Sequence, residues 1–165
     1  MALLVTFAVS AQEPMRQQRL TSPIFGLGPG GISNLGSKDD LSYNVYAGGL
    51  WEVNRYTAIR AQGEATTNSE DNALLSGLVG ANIYPFRGDI TPYFGGDVGL
   101  GWGTTNQGDG FGVDLGGLAG VLLFPDQEIP ITVEAQAHVL FNDNIAGSNS
   151  NNFPWRYSGR VGILF

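Results

Sequence analysis

From residue 24 onward the chain is a succession of segments, each roughly ten residues long, in which one parity is apolar and the other polar or glycine. In TAIRAQGEAT, residues 57 to 66, Ile59, Ala61 and Ala65 share one face and Arg60, Gln62 and Glu64 the other. ITVEAQAHVLF, residues 131 to 141, sets Ile131, Val133, Ala135, Ala137, Val139 and Phe141 against Thr132, Glu134, Gln136 and His138. A helix would scatter those charges around its circumference, so both segments are strands. The same reading along the chain predicts eight strands, at 24–33, 41–53, 57–66, 73–84, 91–104, 111–124, 130–141 and 154–165.

The connections alternate in character. VNRY, PFRGDI and PDQEIP are tight, and two of them carry Pro; NLGSKDD, TNSEDN, NQGDG and NDNIAGSNSNNF are rich in Asn, Ser, Asp and Gly. Strict alternation of the two kinds predicts an antiparallel meander. No segment is long and periodic enough for the helix that a parallel crossover needs. The first strand contains Pro29, which cannot donate to a ladder, and a bulge is expected there. Gly26, Gly28 and Gly31 match a dinucleotide-binding pattern in spacing, but no helix follows to receive a pyrophosphate.

Alternation fits two architectures: a soluble barrel or sandwich with its apolar parity inside, or a membrane barrel with it outside. Glu52, Arg60, Glu64, Asp97, Asp114, Glu134, His138, Arg156 and Arg160 all fall on the polar parity of the predicted strands. A lipid-facing surface requires this, because Arg or Lys at mid-bilayer on a strand costs about 2–4 kcal/mol. The polar parity is also rich in glycine, at Gly95, Gly99, Gly101 and Gly103 and again at Gly112, Gly116 and Gly120, where a solvated sheet would favour Thr, Lys and Glu. An eight-stranded barrel has a lumen just wide enough to be filled by its own side chains. Glycine there makes room for buried arginines and carboxylates, which must pair.

Aromatic residues fall into two bands, as amphipathic rings do at the two headgroup layers of a bilayer. Trp51, Tyr56, Tyr84, Phe86, Phe124 and Phe165 lie near the tight-turn ends; Tyr43, Trp102, Phe111, Phe141, Phe153 and Trp155 lie near the long-loop ends.

Composition narrows the picture further. The chain of 165 residues has room for one domain, and no run approaches the roughly 18 apolar residues of a transmembrane helix. Its 25 glycines are roughly twice the usual share and follow no three-residue period, so they belong to strands and turns. A net charge of −7 argues against nucleic acid as a partner, since phosphate binding needs Lys and Arg. There is no cysteine, hence neither a disulfide nor a thiolate site. The start, MALLVTFAVSAQEP, reads as the apolar stretch of a secretory signal without its basic leader, with a small-residue cleavage site at Val9, Ser10 and Ala11. The expected layout is a partial signal peptide at 1–11, a periplasmic segment at 12–23 and a barrel at 24–165.

Two stretches carry a resemblance: IYPFRGDITPYFGGDVGLGWG, residues 83 to 103, and the closing YSGRVGILF. Together with the strand pattern they resemble the small outer-membrane β-barrels of Gram-negative bacteria, the OmpA/OmpX-like group with eight antiparallel strands. The resemblance spans roughly 24 to 165, and nothing after Phe165 corresponds to the periplasmic domain of larger members. It implies that the last strand carries the signal read by the outer-membrane assembly machinery. Tyr157, Val161, Ile163 and Phe165 match that signal, and Gly159 leaves a gap in its row.

The resemblance further implies bacterial outer-membrane lipid and lipopolysaccharide as surroundings, and no cofactor. Lipid A deacylases share the architecture and need a late-strand His followed two residues on by Ser, with an acid nearby. His138 is followed by Val139 and Leu140 and lies on the luminal parity. It has no second His or Cys for a metal shell. Asn142, Asn144 and Gly147 have calcium-loop offsets, but Phe153 stands where a bidentate Glu is needed. Lys38, Asp39, Asp40, Glu70, Asp71, Asp109 and Asp143 make the long loops largely acidic.

The sequence therefore predicts an all-β, eight-stranded up-and-down transmembrane barrel with a filled lumen, acting through its outer loops. Open channels need about twice as many strands. A soluble calyx binding a small ligand, with the apolar parity lining its cavity, is the alternative, and a deacylase-like enzyme a third reading.

Overall fold

The computed structural model describes residues 22–33, 41–68, 72–105, 108–141 and 153–165. The expected signal segment 1–11, residues 12–21, and loop residues 34–40, 69–71, 106–107 and 142–152 lie outside the described residues. Eight strands form the fold: β1 (Ser22–Ser33), β2 (Leu41–Asn54), β3 (Thr57–Asn68), β4 (Ala73–Ile83), β5 (Ile90–Thr105), β6 (Gly108–Leu123), β7 (Ile131–Phe141) and β8 (Trp155–Leu164). Each pairs antiparallel with its neighbour in sequence, and β1 pairs with β8, closing the barrel. Closure leaves no strand edge free. Strands of 10 to 16 residues meet the roughly 9–11 residues that a tilted strand needs to cross a hydrocarbon core.

The alternation of the sequence becomes two surfaces. Along β7, Thr132, Glu134, Gln136, His138 and Leu140 are buried in the lumen, while Val133, Ala135, Ala137 and Phe141 face out. The outer wall is predominantly apolar: Phe111 is 72% exposed, Leu27 58% and Val98 53%. Asp109, at the first turn of β6 beside the long-loop end, is the one Asp, Glu, Lys or Arg on the outward parity of the described strands. This polarity is the inverse of a soluble calyx: among the described strands the apolar parity faces away from the barrel axis, and the ionic residues, Asp109 apart, point inward.

The expected bulge at Pro29 does not form. Pro29 pairs with Tyr43 in an unbroken β1–β2 register, and the β1–β8 register is the same on both sides of the Gly28–Pro29 step, where pairing lapses. Pro29 points outward, so its missing N–H costs part of one ladder and shifts nothing. The register shift lies instead between Glu52 and Asn54 of β2, where Val53 is the extra residue at the tight-turn rim.

The lumen is layered. At the tight-turn end Ile24, Leu50, Ala58, Tyr84, Leu118, Leu122 and Leu164 pack with Tyr46 and Tyr93 into one apolar cluster. Ile32, Leu74 and Leu140 form a second at the long-loop end. Between them lies the charged zone. Glycine admits its bulk: a Cβ on Gly116 would overlap the His138 ring, one on Gly26 the Tyr46 ring, and one on Gly162 the Tyr46 hydroxyl.

Candidate functional site: the luminal charge network

Eight of the nine ionisable residues assigned to the lumen come together. Arg60, Glu64, Asp97, Asp114, Glu134, His138, Arg156 and Arg160 are each at most 3% exposed. They project from β3, β5, β6, β7 and β8, all on the inward parity, so barrel closure rather than any local motif assembles them.

The guanidiniums and carboxylates alternate across the lumen. Arg60 donates a bidentate pair of bonds to Glu134, Nη1 to Oε1 at 2.7 Å and Nη2 to Oε2 at 3.0 Å. Arg160 then bridges Glu134, through Nε at 2.5 Å, and Glu64, through Nη1 at 3.0 Å. Arg156 continues the chain, with Nε 3.3 Å from Glu64 and Nη2 donating to Asp114 at 2.8 Å. Beyond it, His138 Nδ1 lies 3.1 Å from Asp114 Oδ1, and Nε2 lies 3.8 Å from Asp97 Oδ2. Paired charges of this kind tolerate burial only when their remaining hydrogen-bonding capacity is filled.

Neutral residues fill much of it, and reading only ionisable side chains misses them; Arg160 Nη2 and both Asp97 oxygens are left without a hydrogen-bond partner among the described residues. Asn44 and Gln136 donate to Glu64 Oε1 at 2.6 and 2.7 Å. Gln62 accepts from Arg60 Nε at 2.7 Å, Tyr93 donates to Glu134, and Ser76 donates to Asp114. Arg160 stacks 3.9 Å above the Tyr46 ring centre, a cation–π contact. All of these share the parity of the charges, which is the signal that would have found them. The same signal marks the luminal leucines: Leu118 and Leu122 share a parity with Asp114, and Leu140 with His138.

Glu52 does not join the network. It lies at the tight-turn mouth beyond the apolar cluster, where Arg87 Nη1 donates to its Oε1 at 2.6 Å. That pair is half-buried, at 21% and 32% side-chain exposure. Its partner comes from the PFRGDI turn, which the strand pattern left out. Arg87 also donates to the Arg55 carbonyl and lies 4.6 Å over the Tyr84 ring. Tyr84 accordingly leaves the expected aromatic band: its ring points inward, 2% exposed, against Tyr93. Trp51, Tyr56, Phe86, Phe124 and Phe165 remain exposed at that end. Tyr43, Phe111, Phe141 and Trp155 are exposed at the other, with Trp102 and Phe153 half-buried.

His138 is 1% exposed and held against Asp114, inside the lumen and away from the outer wall. Tyr157, Val161 and Phe165 of the last strand point outward, 47%, 51% and 55% exposed, with Ile163 half-buried in the same row. On the wall of β2 to β6, Ala47, Gly63, Ala65 and Gly77 leave an apolar trough of about 980 Å³.

No family model and no curated protein matches the chain in sequence. Solved structures do match its fold. Neisserial surface protein A is similar at a TM-score of 0.65 and 18% identity, over 88% of this chain and 97% of that one. The N-terminal β-barrel domain of Pseudomonas aeruginosa OprF is similar at 0.55 and 12% identity, over 88% and 98%. The outer membrane enzyme PagL is similar at 0.54 and 11% identity, over 85% and 97%. The fold is that of the small OmpA/OmpX-like outer-membrane barrels, and identities this low carry no activity from one chain to another.

Proposed function

We propose that the protein is an integral barrel of the bacterial outer membrane, with a lumen plugged by its own side chains and with a structural or surface-interaction role carried by its long loops. The inverted polarity carries this reading: ionic residues inside, an apolar wall outside. Such a wall, in contact with water, would be an aggregation surface far larger than a soluble monomer presents. In a bilayer it meets acyl chains and the headgroups of lipopolysaccharide. The tight turns face the periplasm and the acidic long loops face outward. The outward row Tyr157, Val161, Ile163 and Phe165 is the contact for the barrel assembly machinery.

The ionic zone and the two apolar clusters support a closed lumen, so the protein is neither an open pore nor, with His138 buried and Leu140 in place of a Ser two residues on, a deacylase. It uses no cofactor and binds no nucleic acid. The test is fractionation. The protein should sediment with outer membranes, require detergent for extraction and run as a compact band that shifts on heating. In planar bilayers it should give no steady porin-sized conductance, and incubation with lipid A should leave the acyl chains intact. Recovery from the soluble fraction, or loss of an acyl chain from lipid A, would overturn the reading.

A further inference from the structure

Outward glycines differ in what covers them. Gly31 and Gly49 lie beneath rings of this chain, those of Tyr157 and Trp51, which shield the bare backbone. Gly63 of β3 and Gly77 of β4 lie beneath nothing: a Cβ at either would meet no atom within 4 Å. They stand directly opposite one another, so the two gaps merge. The backbone does not require glycine at either, since the ladders of β3 with β2 and β4 run unbroken through them and neither takes a positive φ. A strand glycine that serves no bulge or bend often marks a place where another molecule comes close. Gly159 of β8, bare as well, lies round the barrel from this pair.

Ala47 of β2 and Ala65 of β3 continue the recess, and with Gly63 and Gly77 they floor the trough of about 980 Å³. Leu75 and Leu100 stand exposed at its sides, and Trp102 and Phe111, paired across β5 and β6, border it toward the long loops. Its outward lining is Gly, Ala, Val, Leu, Trp and Phe alone, so the occupant is apolar. A second barrel is convex, and would meet Leu75, Leu100 and Phe111 before its wall reached the floor. A hydrocarbon chain is narrow and bends to the recess, where it gains dispersion contacts that a gap forfeits. Depth assigns the leaflet. Trp102 and Phe111 belong to the long-loop aromatic band, which on the outer-membrane reading lies at the outer headgroup layer, among lipopolysaccharide.

We propose, resting on that reading, that the trough seats an acyl chain of lipid A, held against Gly63 and Gly77 beside Trp102 and Phe111. Several chains of lipid A are tied to one headgroup. Once one is seated, its neighbours lie against Leu75 and Leu100 at high effective concentration, which favours lipid A over a two-chain phospholipid.

The test uses the full chain folded into vesicles of phosphatidylcholine brominated on its acyl chains, since bromine quenches tryptophan on contact. The chain has three tryptophans, and Trp51→Phe with Trp155→Phe leaves Trp102 at the trough. As unbrominated lipid A is added, quenching of Trp102 should be relieved by more than the share of acyl chains it contributes. Trp155 as the sole tryptophan, at the same end of the barrel on β8, should show relief in proportion only. Gly77→Leu in the Trp102 chain fills the floor from open space and should lose the excess; Ala47→Leu fills it from β2 should Gly77→Leu fail to fold. Proportionate relief at Trp102, or an excess that filling the trough leaves unchanged, would overturn the seat and leave the membrane reading standing. No quenching by the brominated chains would overturn both. Relief that follows the density of protein in the bilayer instead of lipid A would give the trough to a second copy and overturn the acyl seat.

Discussion

Glu134 and Glu52 occupy the same inward parity of the same barrel and each pairs with arginine, yet they live in different dielectrics. Glu134 lies between Arg60 and Arg160 with side-chain exposures of 1% or less, and takes a further bond from Tyr93. Glu52 meets Arg87 at the mouth, where water reaches both. In the interior an uncompensated charge has nowhere to go, whereas at the mouth the solvent replaces whatever partner is lost. One contact chemistry thus spans a wide range of consequence, decided by depth along the barrel axis.

Removing the deep anion should have the largest effect. Glu134→Gln leaves Arg60 and Arg160 without their shared carboxylate, and should cost about 3–5 kcal/mol, the usual result of breaking one side of a buried pair. The midpoint of urea unfolding in micelles measures it, and a change under about 1 kcal/mol would show that water enters the lumen freely.

Charge on the other side of the wall comes next. Val98 follows Asp97 in the chain and faces out, 53% exposed in the middle of β5. Val98→Arg should cost about 2–4 kcal/mol in lipid vesicles, read from the folded fraction after refolding. A neutral result would place that wall outside the hydrocarbon.

Packing around the network ranks third. Gly116→Ala drives a methyl group into the His138 ring and should cost about 1–3 kcal/mol through overpacking. Gly77→Ala, facing open space on the outer wall, is its control and should change the urea midpoint little.

The mouth pair closes the series. Glu52→Gln or Arg87→Ala should shift the midpoint by less than about 1 kcal/mol, and by less still in high salt. Equality with Glu134→Gln would erase the distinction between mouth and interior.

Legibility followed the same division. The strands, their alternating turns and the inward set from Arg60 to Arg160 were readable, because a period of two is a local property that needs only neighbouring residues. Strand ends were off by at most three residues, at β6, where Gly108 takes a φ of 145° that suits glycine at the entry to a strand. Tyr84 was misplaced because inward and outward rings look alike at a strand end. Glu52 was misgrouped because parity gives the face and says nothing of depth. Pro29 was expected to distort β1, but a proline pointing out of a closed barrel loses only its own N–H.

By itself the sequence determined which residues share a face, since side chains alternate along any extended backbone, and it determined that one of those faces holds the arginines and acids. Only the tertiary structure decided which acid meets which arginine. Glu64 and Arg160 are distant in sequence and adjacent in space because β8 closes on β1 with one stagger among several that the pattern allows. That stagger gives Glu134 two guanidiniums and leaves Asp97 none, a difference written in no local stretch of the chain.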